Sequence, residues 1–257
     1  MRSRNILLNF ADCKYSNSQK RNTASGIVHG FDTAHQCTPR DIGANFANKY
    51  QSILNQPRGC GYWLWKPYFI SRYLNQMNGD DVLFYSDSGS DFTKNITPLL
   101  NLCRNDRNGL MAFELSGKHK ERQYTKRDLF IEMNQDTPEY TDTDQLMASF
   151  IMIQKNEFTI QFMNEYLKYA CNEHLITDSA SRSTNYPEFK DHRHDQSIFS
   201  LLCKKHQITH LDDPTQWGQK HKQYPPGSQY IWHRRNNNHI KLEPRVLEGV
   251  RIGIIPG

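Results

Sequence analysis

Residues 79–91 read Gly-Asp-Asp-Val-Leu-Phe-Tyr-Ser-Asp-Ser-Gly-Ser-Asp, and this stretch decides the fold class. Val82, Leu83 and Phe84, with Tyr85 behind them, form an apolar run without polar alternation. Such a run suits a strand buried on both faces of a parallel sheet. Asn78-Gly79-Asp80 before it reads as a turn. Upstream, Ile70, Tyr73, Leu74 and Met77 recur at helical spacing, and Pro67 fits the first position of a helix over 68–77. Helix, short turn and buried strand make the unit of a doubly wound α/β sheet. Open sheets of this kind bind ligands beyond the carboxyl ends of their strands, so Asp87 stands where chemistry is expected.

Outward from this unit the pattern continues. Residues 5–11 read as a first buried strand, and the polar stretch 12–23 as a loop carrying basic side chains. Thr38-Pro39-Arg40-Asp41 reads as a helix start, followed by Ile42, Phe46, Tyr50 and Ile53 at helical spacing. Strands are expected at 110–115, 149–153 and 208–211, and helices at 125–133, 157–171 and 196–205. Residues 216–238 are polar, aromatic and basic, and read as a long loop or a lid. No repeat, linker or low-complexity tract divides the 257 residues, so one α/β domain is expected.

Composition narrows the function classes. A net charge of +5 is mildly basic, weaker than a dedicated nucleic-acid binder carries, so no nucleic-acid partner is expected. The basic groups at 118–127 and 233–235 read as solvated surface, and the balance also suits a small anionic ligand such as a nucleotide diphosphate. Six dispersed cysteines form no CxxC pair, which argues against a zinc ribbon or a thioredoxin-type site. The apolar run Ile6-Leu7-Leu8 is too short for a signal peptide or a membrane span, so a cytoplasmic protein without a transmembrane segment is expected.

Three constellations carry chemistry. In the stretch from Tyr85 to Asp91, acidic residues among small ones can hold a divalent cation against a diphosphate; the same residues also suit an acidic turn that caps a helix. In 61–67, Trp63 and Trp65 flank Leu64 and precede Lys66. Trp faces can stack on a base or a sugar, or pack into the core, and a Lys at a helix N-terminus suits phosphate. In 191–198, His192 and His194 are two apart and so do not share a helix face, which disfavours a two-His metal site. Asp195-Gln196 at the helix start is better placed to act on a substrate hydroxyl.

The stretches GYWLWKPYFI (61–70), GDDVLFYSDSGS (79–90) and HRHDQSIFSLL (192–202), in this order and separation, resemble a group of glycosyltransferases with the GT-A, nucleotide-diphospho-sugar transferase fold. The likeness spans about 6–211. It implies a Rossmann-type αβα sandwich with a mostly parallel central sheet in a single domain. It further implies a nucleotide-binding half at about 1–90, an acceptor-binding half at about 91–215 and a loop or lid at about 216–257. The implied partners are a nucleotide-sugar donor, UDP- or GDP-linked, and a glycan or other hydroxyl acceptor. An Asp-x-Asp motif in that superfamily binds Mn²⁺ or Mg²⁺. Asp87 matches its first position, whereas Gly89 departs from the second; Asp91 is the candidate for the missing carboxylate, and His233 for the late His that completes the metal site in related enzymes. Phe10, Ala11 and Asp12 take the place that cradles the nucleotide, and Trp65, Ser86, Ser88 and His194 join the donor set. Arg21, Lys66 and Arg127 are the implied phosphate partners. Asp195 and Gln196 match the catalytic pair on the acceptor side, with Asp195 either the base of an inverting enzyme or the stabiliser of the anomeric charge in a retaining one. Two other readings compete: a metal-dependent hydrolase using Asp87, His192, His194 and Asp195, and a non-catalytic glycan-binding protein using the Trp block.

Overall fold

The computed structural model describes residues 3–115, 117–220 and 228–234. The chain runs β1 (Asn5–Phe10), α1 (Ser16–Val28), β2 (Thr33–Cys37), then the short helices α2 (Ala44–Lys49) and α3 (Gln51–Leu54) and a single left-handed turn, α4 (Gly59–Tyr62), before α5 (Trp65–Gln76). β3 (Val82–Ser86), β4 (Ser90–Phe92), α6 (Thr97–Asn105) and β5 (Leu110–Glu114) follow. Three short helices, α7 (Glu121–Tyr124), α8 (Arg127–Glu132) and α9 (Pro138–Thr141), lead into β6 (Leu146–Gln154) and α10 (Glu157–Ala170). The described chain closes with α11 (Glu173–Ile176), α12 (His194–Lys205), β7 (Thr209–Leu211), α13 (Gln216–Lys220) and β8 (Ile231–His233).

The central sheet has the order β2-β1-β3-β6-β5-β7. β1 is parallel to β2 and β3, and β5 is parallel to β7, while β6 runs antiparallel between β3 and β5. The sheet is therefore mixed but mostly parallel. Alternation along its strands divides the core into two layers. Ile6, Leu8, Leu83, Tyr85, Ile151 and Ile153 face the layer that contains residues of α5, α10 and α12. Leu7, Val82, Phe84, Phe150 and Met152 face the layer that contains residues of α6 and Ile231 of β8. Helical layers on both faces of one sheet make an αβα sandwich, and they explain why Val82, Leu83 and Phe84 are all buried.

The expected loop at 12–23 is instead largely α1. Its inward face is polar, with Gln19, Asn22 and Thr23 buried, so it carries no apolar periodicity to read. Asn22 Nδ2 donates to Ser86 Oγ at 3.1 Å and to Ser90 O at 2.9 Å, and Asn9 Nδ2 donates to Asn22 Oδ1 at 2.8 Å. Hydrogen bonds to strand ends thus do what burial usually does. The strand Thr33–Cys37 is polar and escapes the same test. α5 begins at Trp65, two residues before Pro67, and the segment expected at 149–153 extends to Leu146–Gln154. Within 216–238, α13 and β8 replace the expected loop, β8 pairing antiparallel with β4; 221–227 and 235–257 lie outside the described residues.

Candidate functional site

A cavity of 580 Å³ opens where β3, α5, α12, β6 and the segment before β8 converge. Of the residues singled out in the sequence, Lys66, Asp87, His192, His194, Asp195, Gln196 and His233 line it, together with Trp63. Three elements bring its charged centre together. Asp87 follows the last residue of β3, Lys66 is the second residue of α5, and Asp195 lies in the first turn of α12.

Lys66 Nζ lies 2.6 Å from Asp195 Oδ2 and 3.7 Å from Asp87 Oδ1. The Lys66 side chain is 3% exposed and that of Asp195 6%, against 28% for Asp87. Tyr85 donates its hydroxyl to Asp87 Oδ1 at 2.6 Å, and Tyr166 of α10 donates to Asp195 Oδ2 at 3.3 Å. One ammonium between two carboxylates leaves one negative charge in excess. Burial lowers the Lys66 proton affinity, but the two carboxylates outweigh it and hold the ammonium above its ordinary range. Burial pushes Asp195 up to about 6, Asp87 adds to the rise, and Lys66 opposes it. Burial and the neighbouring carboxylates also raise both tyrosine hydroxyls well above their ordinary range, so they stay protonated and serve the site as hydrogen-bond donors.

α12 is anchored from below by a buried carboxylate that sequence reading missed. Glu121 of α7 accepts from Ser200 Oγ and Lys204 Nζ, both at 2.5 Å, and from Thr125 Oγ1 at 2.8 Å and Gln145 Nε2 at 3.1 Å. Gln145 Oε1 in turn accepts from Gln196 Nε2 at 3.0 Å and from Arg193 Nη1 at 3.3 Å, fixing the entrance to the helix. Other cavity residues without a local sequence signal are Arg58, His119, Asp213 and Trp217, brought in from separate loops.

Several expected site residues lie elsewhere. Asp91 is not at the cavity: Arg21 Nε reaches its Oδ1 at 2.7 Å and Arg234 binds its Oδ2. This pair consumes both the expected second carboxylate and the expected phosphate partner Arg21. Phe10 and Trp65 stack on each other at 3.7 Å between centroids, and Trp65 Nε1 donates to Gly59 O at 2.9 Å, so both serve the core. Ala11 is buried and Asp12 caps the turn after β1. Ser86 accepts from Asn22, and Ser88 donates to Phe10 O. Arg127 pairs with Asp136 at 3.0 Å. At the departure from Asp-x-Asp, a Cβ on Gly89 would come within 3.2 Å of Arg234 O, so the approach of β8 leaves little room for a side chain. No group of three His, Cys, Asp or Glu able to hold a metal occurs among the described residues. All six cysteines carry free thiols, and no helix among the described residues is long and apolar enough to cross a membrane.

This architecture recurs in solved glycosyltransferases. The apo structure of the bifunctional glycosyltransferase WbbM superimposes with a TM-score of 0.53 and 12% identity over 93% of this chain. Glycosyltransferase GlyE of Streptococcus pneumoniae TIGR4 does so with a TM-score of 0.50 and 16% identity over 92%. The chain spans about half the length of each, 47% of WbbM and 55% of GlyE. No protein-family model and no curated protein matches the chain. The protein thus has the GT-A-type α/β fold, and likeness at this identity speaks to the fold.

Proposed function

We propose that this protein is a glycosyltransferase that moves a sugar from a nucleotide-diphosphate donor to a hydroxyl acceptor, and that the Asp87–Lys66–Asp195 cluster is its reaction centre. The observation that carries this reading is the meeting of these three groups in one cavity, one of them at the carboxyl end of a sheet strand. Lys66 supplies positive charge for the departing diphosphate. Asp195 carries an ionised carboxylate at neutral pH, held by Lys66 and Tyr166. Accepting the proton of the attacking hydroxyl and facing the positive charge that develops at the anomeric carbon both require this ionised form. Gln196, tied to Gln145, orients the acceptor beside it.

The described side chains do not form a closed metal cage. A hard cation carried with a diphosphate needs only one or two protein ligands, however, and Asp87 and His233 are the two expected ligands that line the cavity. Mn²⁺ or Mg²⁺ held there with the donor would add Lewis-acid stabilisation of the leaving group. UDP- and GDP-sugars are the donors to test.

Thermal denaturation with UDP, GDP and their sugar conjugates, with and without Mn²⁺, tests the proposal. A donor at about a hundred times its dissociation constant is expected to add about 2.7 kcal/mol of stability. A metal-dependent rise identifies the cation, and a metal-independent one leaves the charge to Lys66. Absence of any rise with every nucleotide would overturn the transferase reading in favour of a glycan-binding protein.

A further inference from the structure

Beside the reaction centre stands an imidazole whose hydrogen-bonding state is fixed by backbone geometry. His194 is 2% exposed and lines the cavity. Its Nδ1 lies 2.7 Å from Ile176 O. A carbonyl oxygen can only accept, so Nδ1 must carry the hydrogen. Burial lowers the proton affinity of His194, so the ring is neutral near pH 7 and Nε2 bears a lone pair. That atom is buried and has no hydrogen-bond partner. Its nearest charged neighbour, Asp178 Oδ1 at 3.7 Å, is itself an acceptor and is held by Arg58 at 2.9 Å. His192, two residues away, has the opposite tautomer: its Nδ1 accepts from the Lys126 amide at 3.2 Å, and its Nε2 donates to Leu175 O at 2.8 Å. His192 is thus fully engaged, while His194 keeps one acceptor.

The surroundings hold this ring rigidly. Residues Gly59, Cys60, Gly61, Tyr62 and Trp63 all have positive φ, from 52° to 92°, forming one left-handed turn. For the non-glycine members such a backbone is strained. The turn sets Trp63 against the His194 ring at 5.5 Å and 22°, and Tyr62 at 4.9 Å. His194 itself has φ 51°. The half-buried Trp63 therefore presents an apolar ring to the cavity next to a lone-pair acceptor.

An acceptor buried without a partner is destabilising, and a ligand hydroxyl would satisfy it. Sugar chemistry offers that combination, an O–H donor beside a C–H face able to lie on an aromatic ring. Resting on the transferase reading above, we propose that on sugar binding the half-buried Trp63 ring shifts enough for His194 Nε2 to accept a hydrogen bond from one sugar hydroxyl, with Trp63 as the apolar wall. His194 is then a specificity-determining residue, distinct from the charged centre at Lys66.

His194→Asn isolates the proposed atom. Asn tolerates the left-handed backbone, and its Nδ2 can still donate to Ile176 O, but it has nothing in the place of Nε2. Calorimetry of wild type and variant uses UDP and GDP, then UDP-glucose, UDP-galactose, UDP-N-acetylglucosamine and GDP-mannose. A second arm adds methyl glycosides to the nucleotide-saturated protein, which separates a donor hydroxyl from an acceptor hydroxyl. Bare nucleotide should bind both proteins alike, and the affinity added by sugar in one arm should fall about 3- to 10-fold in the variant. Equal sugar-dependent affinity in both proteins, or none in either arm, overturns the inference while leaving the transferase reading intact. If no nucleotide binds wild type, the transferase reading falls and takes this inference with it. Imidazole ¹⁵N spectra of wild type give a readout independent of the variant's folding. Nε2 of His194 should resonate as a bare nitrogen and shift on adding sugar, and a protonated Nε2 in the free protein would overturn the assignment.

Discussion

Lys66 shows why three residues distant in sequence act as one. Its ammonium is nearly inaccessible and lies 2.6 Å from Asp195 and 3.7 Å from Asp87, so its charge is tolerable there only with carboxylates beside it. Lys66→Met is expected to strand two carboxylates and to cost about 3–5 kcal/mol, measured by urea denaturation; a change under 1 kcal/mol would mean the cluster is solvated. Asp195→Asn keeps the shape and should lower kcat by about 10²–10⁴-fold with folding retained. Because Asp195 titrates at about 6, kcat/KM in wild type should fall below that pH, and the variant should lack this limb. The linkage to stability has the opposite sense. Between about 4 and 6 the folded protein holds a proton that the unfolded chain has released. The contribution of this carboxyl to stability is therefore fully present below about 4 and lost as pH rises to about 6. Asp87 and Asp195 were legible in sequence from their motifs, whereas the capture of Asp91 by Arg21 and Arg234 was not, because no local pattern reports pairings across 70 and 143 residues.

At the scale of elements, α1 and the turn before α5 show what periodicity detects. α5 and α10 present apolar faces and were legible from them. α1 seats itself by hydrogen bonds from Asn22, so Asn22→Ala is expected to destabilise by about 1–3 kcal/mol in chemical denaturation. An unchanged midpoint would show that solvent replaces those bonds. The left-handed turn at 59–63 depends on Gly61, whose φ is 92° and whose added Cβ would lie 2.7 Å from Leu54 Cα. Gly61→Ala should therefore lower stability by more than the roughly 1–2 kcal/mol of the backbone term alone. It should also weaken sugar binding more than nucleotide binding, since Trp63 and His194 shift together.

For the molecule as a whole, the expected halves at about 1–90 and 91–215 share one sheet, because β6 hydrogen-bonds to β3 on one side and β5 on the other. Calorimetric unfolding is therefore expected as a single transition, coincident by circular dichroism and tryptophan fluorescence; two separated transitions would show that the halves fold independently. The α/β class, a buried strand leading to Asp87, and helices opening close to Lys66 and Asp195 were all readable from the order of residues, although α5 and α12 each begin two residues earlier than the spacing suggested. They were readable because apolar runs and helical spacing are local consequences of a two-layered core. That β6 runs antiparallel, that Asp91 serves an ion pair, and that Lys66 bridges Asp87 and Asp195 emerge only once the chain is folded. Those outcomes depend on which distant groups burial brings together, and side-chain pairing across a sheet leaves no trace in the order of residues along one strand.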